Sequence, residues 1–297
     1  MDMATSDICF LFNAFSNSGK TTSLEQEFRY HVRIRWPDAK IIKTKPDEIF
    51  WSGLQNRLQG TDTIVACGGD GTVHHAGNLA VKLGAILGVI PIGSGNDFAH
   101  LLEIPHSLTK ALDHLKTSGT RWIDLIKIDG DIQCYCLNTA GVGLDGLANH
   151  YTEIYKKKIG KAGYVAGALK AVFKSIGIEM ALTIDEKKSG EKLLMVTACN
   201  GKREGGSFRV APDASPDDGL IDLLRLRPMM LPALLIALPA FMLYGPTEVF
   251  SIERTRCKRL EIQCAQPVHI HVDGEYSDVK IRNVIFQIKP SALQVIA

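Results

Sequence analysis

Asp70 stands in Gly68-Gly69-Asp70-Gly71-Thr72, directly after the apolar run Thr63 to Cys67. Glycines there let a backbone approach a phosphate closely, and a following helix offers free N–H groups and the positive end of its dipole. A carboxylate in such an anion site is repelled by phosphate unless a divalent cation lies between them, which makes Asp70 a direct or water-mediated Mg²⁺ ligand. A lone Asp-Gly dipeptide reads as a plain turn, but Asp70 does not stand alone. Pro91-Ile92-Gly93-Ser94-Gly95-Asn96-Asp97-Phe98-Ala99 follows the next apolar run and adds a second carboxylate, Asp97. Asn13 to Lys20, with Ser16, follows the run Ile8 to Phe12 as a third polar loop. Ligands of open α/β sheets bind at the carboxyl ends of strands, where all three loops fall.

Ala14 to Thr21 nearly spells the P-loop pattern GxxxxGK[ST], with Ala14 where the first glycine belongs. A β-carbon there hinders the wrap around phosphate, and no strand ending in a Walker-B aspartate follows. Further on, Ala211 to Asp222 packs Asp213, Asp217, Asp218 and Asp222 among turn formers before an apolar run. Such a segment reads equally as a surface turn or as a cation clamp made of one carboxylate and neighbouring carbonyls. His271-Val272-Asp273-Gly274-Glu275 reads by itself as a hairpin turn, yet a free carboxylate beside a transferring phosphoryl group can accept the proton of an attacking hydroxyl.

The elements that must position these residues change character along the chain. Up to about residue 120, strand-like runs (Ile8 to Phe12, Asp38 to Lys43, Thr63 to Cys67, Ile86 to Pro91) alternate with helix-like stretches (about Ser23 to Ile34, Thr72 to Lys82, and 107–116). That alternation predicts a parallel sheet with helices on both faces. After about Arg121, short strand-like runs separated by Gly, Asp and Pro turns predict an antiparallel β-domain, interrupted by helices near 144–176 and 229–243. The expected division is therefore an α/β nucleotide-binding domain over 1–122 and a β-rich domain over 123–297.

Composition narrows the classes. The chain has 297 residues, 45% of them hydrophobic and 22% charged, which excludes a disordered chain, a collagen-like repeat and a coiled coil. Thirty-four Lys and Arg against thirty-two Asp and Glu leave a formal charge of +2, too balanced for a dedicated nucleic-acid binder. The seven cysteines show no zinc-like spacing and read as reduced thiols. Met1 to Phe10 lacks the basic region of a signal peptide, and the longest apolar stretch, Met229 to Tyr244, is short for a membrane span and holds Pro232 and Pro239. A cytoplasmic protein is the expectation, with peripheral contact at the inner membrane face; the apolar stretch reads first as a packed core helix and the basic cluster Tyr155 to Lys161 as a solvated helix face, membrane contact being the functional alternative for each.

In combination, GGDGT at 68–72, PIGSGNDFA at 91–99, APDASPDDGLIDL at 211–223 and DGE at 273–275 resemble the diacylglycerol kinase catalytic-domain family, which includes bacterial soluble lipid kinases, sphingosine kinases and ceramide kinases. GGDGT is shared with NAD kinases and resembles a phosphofructokinase loop; the GSGNDFA and DDGL…DGE combination points to the lipid-kinase branch. The resemblance implies an NAD kinase/phosphofructokinase-like N-terminal α/β domain, a C-terminal antiparallel β-sandwich, and a C-terminus that packs back on the first domain. It implies that Asn13, Ser16, Thr44, Ser94 and the loop Gly68, Gly69, Asp70, Gly71, Thr72, Val73 and His74 contact ATP, and that Asp70 and Asp97 organise Mg²⁺. It further implies a metal site at Asp218 with the backbone oxygens of Ser215 and Leu220, and Glu275 as proton acceptor with Asp273 beside it. Three positions depart from the family pattern: Ala14 replaces a proline, Asn17 a glycine and His75 a glutamate.

The activity so implied is transfer of the ATP γ-phosphoryl group to the hydroxyl of diacylglycerol or a related lipid alcohol. Two alternatives stand beside it: an NAD kinase-like enzyme for a soluble nucleotide, and a non-catalytic nucleotide sensor that associates with membranes. No nucleic-acid partner is expected, and a homodimer is compatible with the sequence.

Overall fold

Five apolar residues in a row, Ile8 to Phe12, form β1 (Ile8–Phe12), every residue of it buried. This is what a central parallel strand covered on both faces requires. The computed structural model describes residues 7–14, 21–45, 47–160, 162–206, 208–236, 245, 252–276 and 278–297. It divides into two compact units, Met1–Ile123 with Ser291–Ala297, and Asp124–Pro290.

In the first unit, β1 pairs in parallel with β2 (Lys40–Lys43) and β3 (Thr63–Gly68), and β3 with β4 (Ile86–Pro91). Between these strands run α1 (Thr21–Arg35), α2 (Glu48–Arg57) and α3 (Asp70–Leu83); α4 (Asp97–Leu101) and α5 (Leu108–Thr117) follow β4. The last residues of the chain return here: Val295 pairs in parallel with Leu87 of β4. Helix α2 departs from the sequence expectation, which has no helix between β2 and β3. It buries only Leu54, so its apolar periodicity is weak; Asp47 starts it by accepting a hydrogen bond from Phe50 N (2.7 Å).

The second unit is antiparallel. The strands β5 (Thr120–Gly130), β6 (Cys134–Cys136), β7 (Thr139–Gly143), β8 (Ile178–Ile184), β9 (Lys187–Leu193), β10 (Met195–Cys199), β11 (Ile221–Leu226), β12 (Ile252–Cys257), β13 (Arg259–Val272) and β14 (Lys280–Ile296) supply it, β5 and β14 also reaching the first unit. One layer runs β12-β11-β10-β7-β13. The other is built on the first half of β13, which pairs with β8 and β14, while β9 pairs with β8. A break in register between Gln263 and Val268 lets β13 serve both layers, the sandwich corner that an irregular strand makes. Val142, Val196, Ile221, Leu223, Ile262, Ile270 and Phe286 are among the side chains that fill the core between them. The strand-like runs Leu260 to Gln263 and His269 to Val272 both belong to this one strand, β13.

Helices α6 (Leu144–Ile159) and α7 (Ala162–Lys174) form a hairpin within the span expected to be helical. A β-carbon at Gly163 would meet the backbone of Lys156, and one at Gly167 the backbone of Thr152, so the two helices meet backbone to backbone. A helical segment also starts at 231, and residues 237–244 of the apolar stretch lie outside the described residues. None of the described helices is long and apolar enough to cross a membrane.

Candidate functional site

Because β1 to β4 run in parallel, the segments after them gather at one edge of the sheet. Asn13 follows β1, donating N–H to Cys67 O (2.9 Å) and its side-chain Nδ2 to Thr72 Oγ1 (2.9 Å). Thr44 follows β2, is buried, and donates N–H to Phe12 O (2.9 Å). Ser16 lies outside the described residues.

The two glycine loops close on one another through Asp70. This residue opens α3, and its Oδ2 accepts from Asn96 N (2.8 Å) while Oδ1 accepts from Phe98 N (3.4 Å) at the start of α4. Asn96 takes a left-handed conformation (φ 58°), one that asparagine tolerates because its amide can bond locally. Here Asn96 Oδ1 accepts from Gly93 N (2.9 Å) and Nδ2 donates to Gly93 O (3.0 Å). A β-carbon at Gly93 would collide with Gly69 Cα, and one at Gly68 with Thr72 Oγ1, so both loops need their glycines for close approach. Gly93→Ala is accordingly expected to lower stability by about 1–3 kcal/mol, read from urea denaturation.

Around this junction Val73, His74 and Asp97 are buried and Gly71 is half-buried, while Ser94 is exposed. His75, the departure from the family pattern, stacks on Trp51 of α2 with ring centroids 4.8 Å apart. The structure thus joins Asn13, Thr72, Asp70, Asn96 and the Gly93 turn in one hydrogen-bonded group. The Asp70 carboxylate is a hard-oxygen donor of the kind that Mg²⁺ prefers.

In the second unit, Asp273 and Gly274 both have positive φ (52° and 84°), and Glu275 N donates to Val272 O (2.9 Å) while Val272 N donates to Glu275 O (3.2 Å). That is a type I′ turn, for which Asp-Gly is a strong signal. Glu275 is half-buried at its far end. The Asp273 carboxylate turns away from solvent: Oδ1 accepts from Asn138 N (2.8 Å) and Thr139 N (3.3 Å), Oδ2 from Leu137 N (3.0 Å). Its backbone N–H reaches Thr139 O (2.8 Å). Asp273 therefore ties the turn to the start of β7. Asp273→Ala leaves three backbone donors without this acceptor and is expected to cost about 2–5 kcal/mol, measured by chemical denaturation.

Asp218, Ser215 and Leu220 sit in the turn before β11. Asp218 Oδ1 accepts from Leu220 N (3.0 Å), Ser215 Oγ donates to Asp217 (2.5 Å), and Gly219 N donates to Asp124 Oδ2 (2.7 Å). Arginines of β12 offset the local acids: Arg254 pairs with Asp213, and Arg256 Nε lies 3.1 Å from Asp222 Oδ1 and its Nη1 3.9 Å from Asp218 Oδ2.

One cluster escaped the sequence reading. His271 is fully buried on β13, its Nε2 3.2 Å from Asp145 Oδ2 and 3.1 Å from Glu204 Oε1. Burial by itself lowers the His271 pKa, but Glu204 and Asp145 outweigh it and hold the imidazole up at about 9. Burial raises Asp145 in turn, and the His271 charge more than offsets it, leaving that carboxyl below its usual value. The residues come from three distant stretches of chain, so no spacing signals them. Burial also quiets the thiols: it pushes Cys9, Cys134 and Cys257 up to about 12 and Cys264 to about 11, leaving them protonated at neutral pH.

The first unit is thus a parallel sheet whose glycine loops gather at one edge, and the second an antiparallel sandwich carrying an acidic turn. Comparison with known proteins supplies the family. Residues 7–128 match the diacylglycerol kinase catalytic domain, and residues 138–297 the YegS C-terminal NAD kinase beta sandwich-like domain. A diacylglycerol kinase of Bacillus subtilis is 32% identical over 226 residues, 74% of this chain and 73% of that one. A putative lipid kinase of Staphylococcus haemolyticus is 34% identical over 171 residues, 57% of this chain and 54% of that one. In fold, the chain is similar to a putative diacylglycerol kinase from Bacillus anthracis, with a TM-score of 0.79, 22% identity and coverage of 98% of this chain and 97% of that one. The chain belongs to the diacylglycerol kinase catalytic-domain family of lipid kinases.

Proposed function

We propose that the protein transfers the γ-phosphoryl group of ATP to the hydroxyl of diacylglycerol or a closely related lipid alcohol. The observation that carries this reading is the Asp70 carboxylate clamping the second glycine loop to the first at the carboxyl edge of a parallel sheet. Such paired loops present backbone N–H groups to phosphate, and the Bacillus subtilis relative bears the name diacylglycerol kinase.

In this reading Asn13, Thr44, Gly68 to His74 and Ser94 hold the nucleotide. Asp70 and Asp97 would hold Mg²⁺, which when bound would offset negative charge on the phosphates. The lipid oxygen forms a bond to the γ-phosphorus as the bond from that phosphorus to the β–γ bridging oxygen breaks, ADP leaves, and Glu275 takes the hydroxyl proton. Asp273 holds the turn that presents Glu275. The second Mg²⁺ site at Asp218, with the backbone oxygens of Ser215 and Leu220, is part of the same proposal, its donors being the hard oxygens that Mg²⁺ prefers.

A lipid acceptor calls for contact with a membrane surface, and α7 supports it. Val165, Leu169 and Phe173 follow one another at helical spacing and are exposed at 55%, 37% and 60%, with Ile176 just beyond at 64%. Lys170 and Lys174 stand beside this stripe, the pairing of apolar and basic side chains that anionic interfaces attract. Phe173→Ser is expected to weaken co-sedimentation with phosphatidylglycerol vesicles about 10-fold or more, the loss of one inserted aromatic side chain.

The decisive assay supplies γ-labelled ATP and Mg²⁺ with detergent-dispersed diacylglycerol, monoacylglycerol, phosphatidylglycerol, sphingosine and ceramide, and tests NAD separately. A labelled lipid formed by the wild type supports the proposal and names the acceptor. Labelled NAD with no labelled lipid overturns it in favour of a soluble-nucleotide kinase; ATP binding with no transfer to any of them overturns it in favour of a nucleotide sensor.

A further inference from the structure

Asp145, Glu204 and His271 converge from three elements of the second unit: the first turn of α6, the short bridge of Glu204 with Phe208, and the last residues of β13 before the Asp273-Gly274 turn. One ligand atom from each lies within 4.8 Å of the others. The His271 side chain has no exposed surface. Its Nε2 stands between the two carboxylates, 3.2 Å from Asp145 Oδ2 and 3.1 Å from Glu204 Oε1. A buried imidazole nitrogen between two carboxylates at these distances holds a proton in the ion-free protein, and a divalent cation that binds there takes that proton's place.

We propose that Asp145, Glu204 and His271 form a site for a divalent transition-metal ion of the zinc type, separate from the Mg²⁺ that accompanies the nucleotide. The spacing suits it. With metal–nitrogen and metal–oxygen bonds of about 2.0–2.2 Å, neighbouring ligand atoms around one ion stand about 3–3.5 Å apart, depending on geometry. The chemistry suits it too: an imidazole favours zinc, iron or nickel, whereas Mg²⁺ and Ca²⁺ favour all-oxygen sets. Two carboxylates with a neutral imidazole carry the charge that balances a dication.

The surroundings hold the donors in place. Thr197 Oγ1 donates to Asp145 Oδ2 (2.6 Å), an outer hydrogen bond of the kind that orients metal-binding carboxylates. Asp145 also lies against Gly141 of β7, where any β-carbon would strike its carboxylate. Donors fixed on a helix, a strand and a β-bridge are pre-organised, which is what a selective metal site needs. His271 is two residues before Asp273 and four before Glu275. An ion here therefore pins the end of β13 to α6 and to the Glu204 bridge, bracing the turn that carries Glu275.

The test uses the full chain, stripped with a chelator and kept in millimolar Mg²⁺ without nucleotide. Isothermal titration with Zn²⁺ is expected to show a single equivalent bound, with a rise in Tm, and Co²⁺ is expected to give visible d–d absorption without a thiolate-to-cobalt charge-transfer band. Glu204→Gln, altering a partly exposed side chain, should weaken uptake at least 10-fold while leaving the circular dichroism spectrum unchanged. Absence of uptake in the presence of Mg²⁺, a thiolate band with Co²⁺, or undiminished uptake by Glu204→Gln each overturns the assignment. None of these readouts depends on kinase activity, so they stand apart from the lipid assay.

Discussion

Glu275→Gln is expected to reduce phosphoryl transfer to lipid by about 10²–10⁴-fold, the usual worth of a positioned general base. Glutamine keeps the size of the side chain and removes its capacity to take a proton. The type I′ turn is closed by backbone bonds between Val272 and Glu275 and anchored by Asp273. The substitution should therefore leave Tm and ATP affinity near wild type and lower kcat. A variant with near-normal kcat would remove Glu275 from the mechanism; one that lost ATP binding as well would place it in the nucleotide site instead.

Asp70→Asn is the second large effect, an expected loss of about 10²–10³-fold in kcat, comparable to removing one electrostatic contact in a preorganised site. Two consequences combine. The charge that draws Mg²⁺ disappears, and one carboxylate oxygen facing an N–H becomes an NH₂ group, setting donor against donor at Asn96 or Phe98. The signature is a rise in the Mg²⁺ concentration needed for half-maximal rate together with the fall in kcat. If Mg²⁺ dependence were unchanged, Asp70 would be a clamp between the loops and no metal ligand. Gly93→Ala separates the two roles, since it disturbs the loop junction without touching the charge.

Some parts of this molecule were plain in the residues. β1, β3 and β4 are continuous apolar runs because both their faces are buried, and a run of that kind needs no partner to be recognised. The loops after them advertise themselves through glycine, since only glycine lets the Gly68–Gly69 and Gly93 backbones approach so closely. The Asp-Gly turn at 273–274 is equally legible, as positive φ at both central residues restricts the choice of amino acid.

Other parts carried little or no local signal. β9, with the sequence Lys-Lys-Ser-Gly-Glu-Lys-Leu, is nearly all charged or polar and is a strand because β8 offers it a ladder. β7, Thr-Ala-Gly-Val-Gly, is too small-sided to read as a strand, yet every residue of it is buried between β10 and β13. Helix α2 was signalled only by its Asp47 cap.

By itself, then, the sequence determined the fold class, the family and the glycine and acidic loops, because backbone conformation and burial on both faces restrict residue choice locally. Only the tertiary structure decided that Asp273 spends its carboxylate on the backbone of residues 137–139, and that Asp145, Glu204 and His271 meet around one buried imidazole nitrogen. Those encounters join segments far apart in the chain through strand pairing and side-chain packing. Contacts of that kind impose no period and no spacing on the residues that make them.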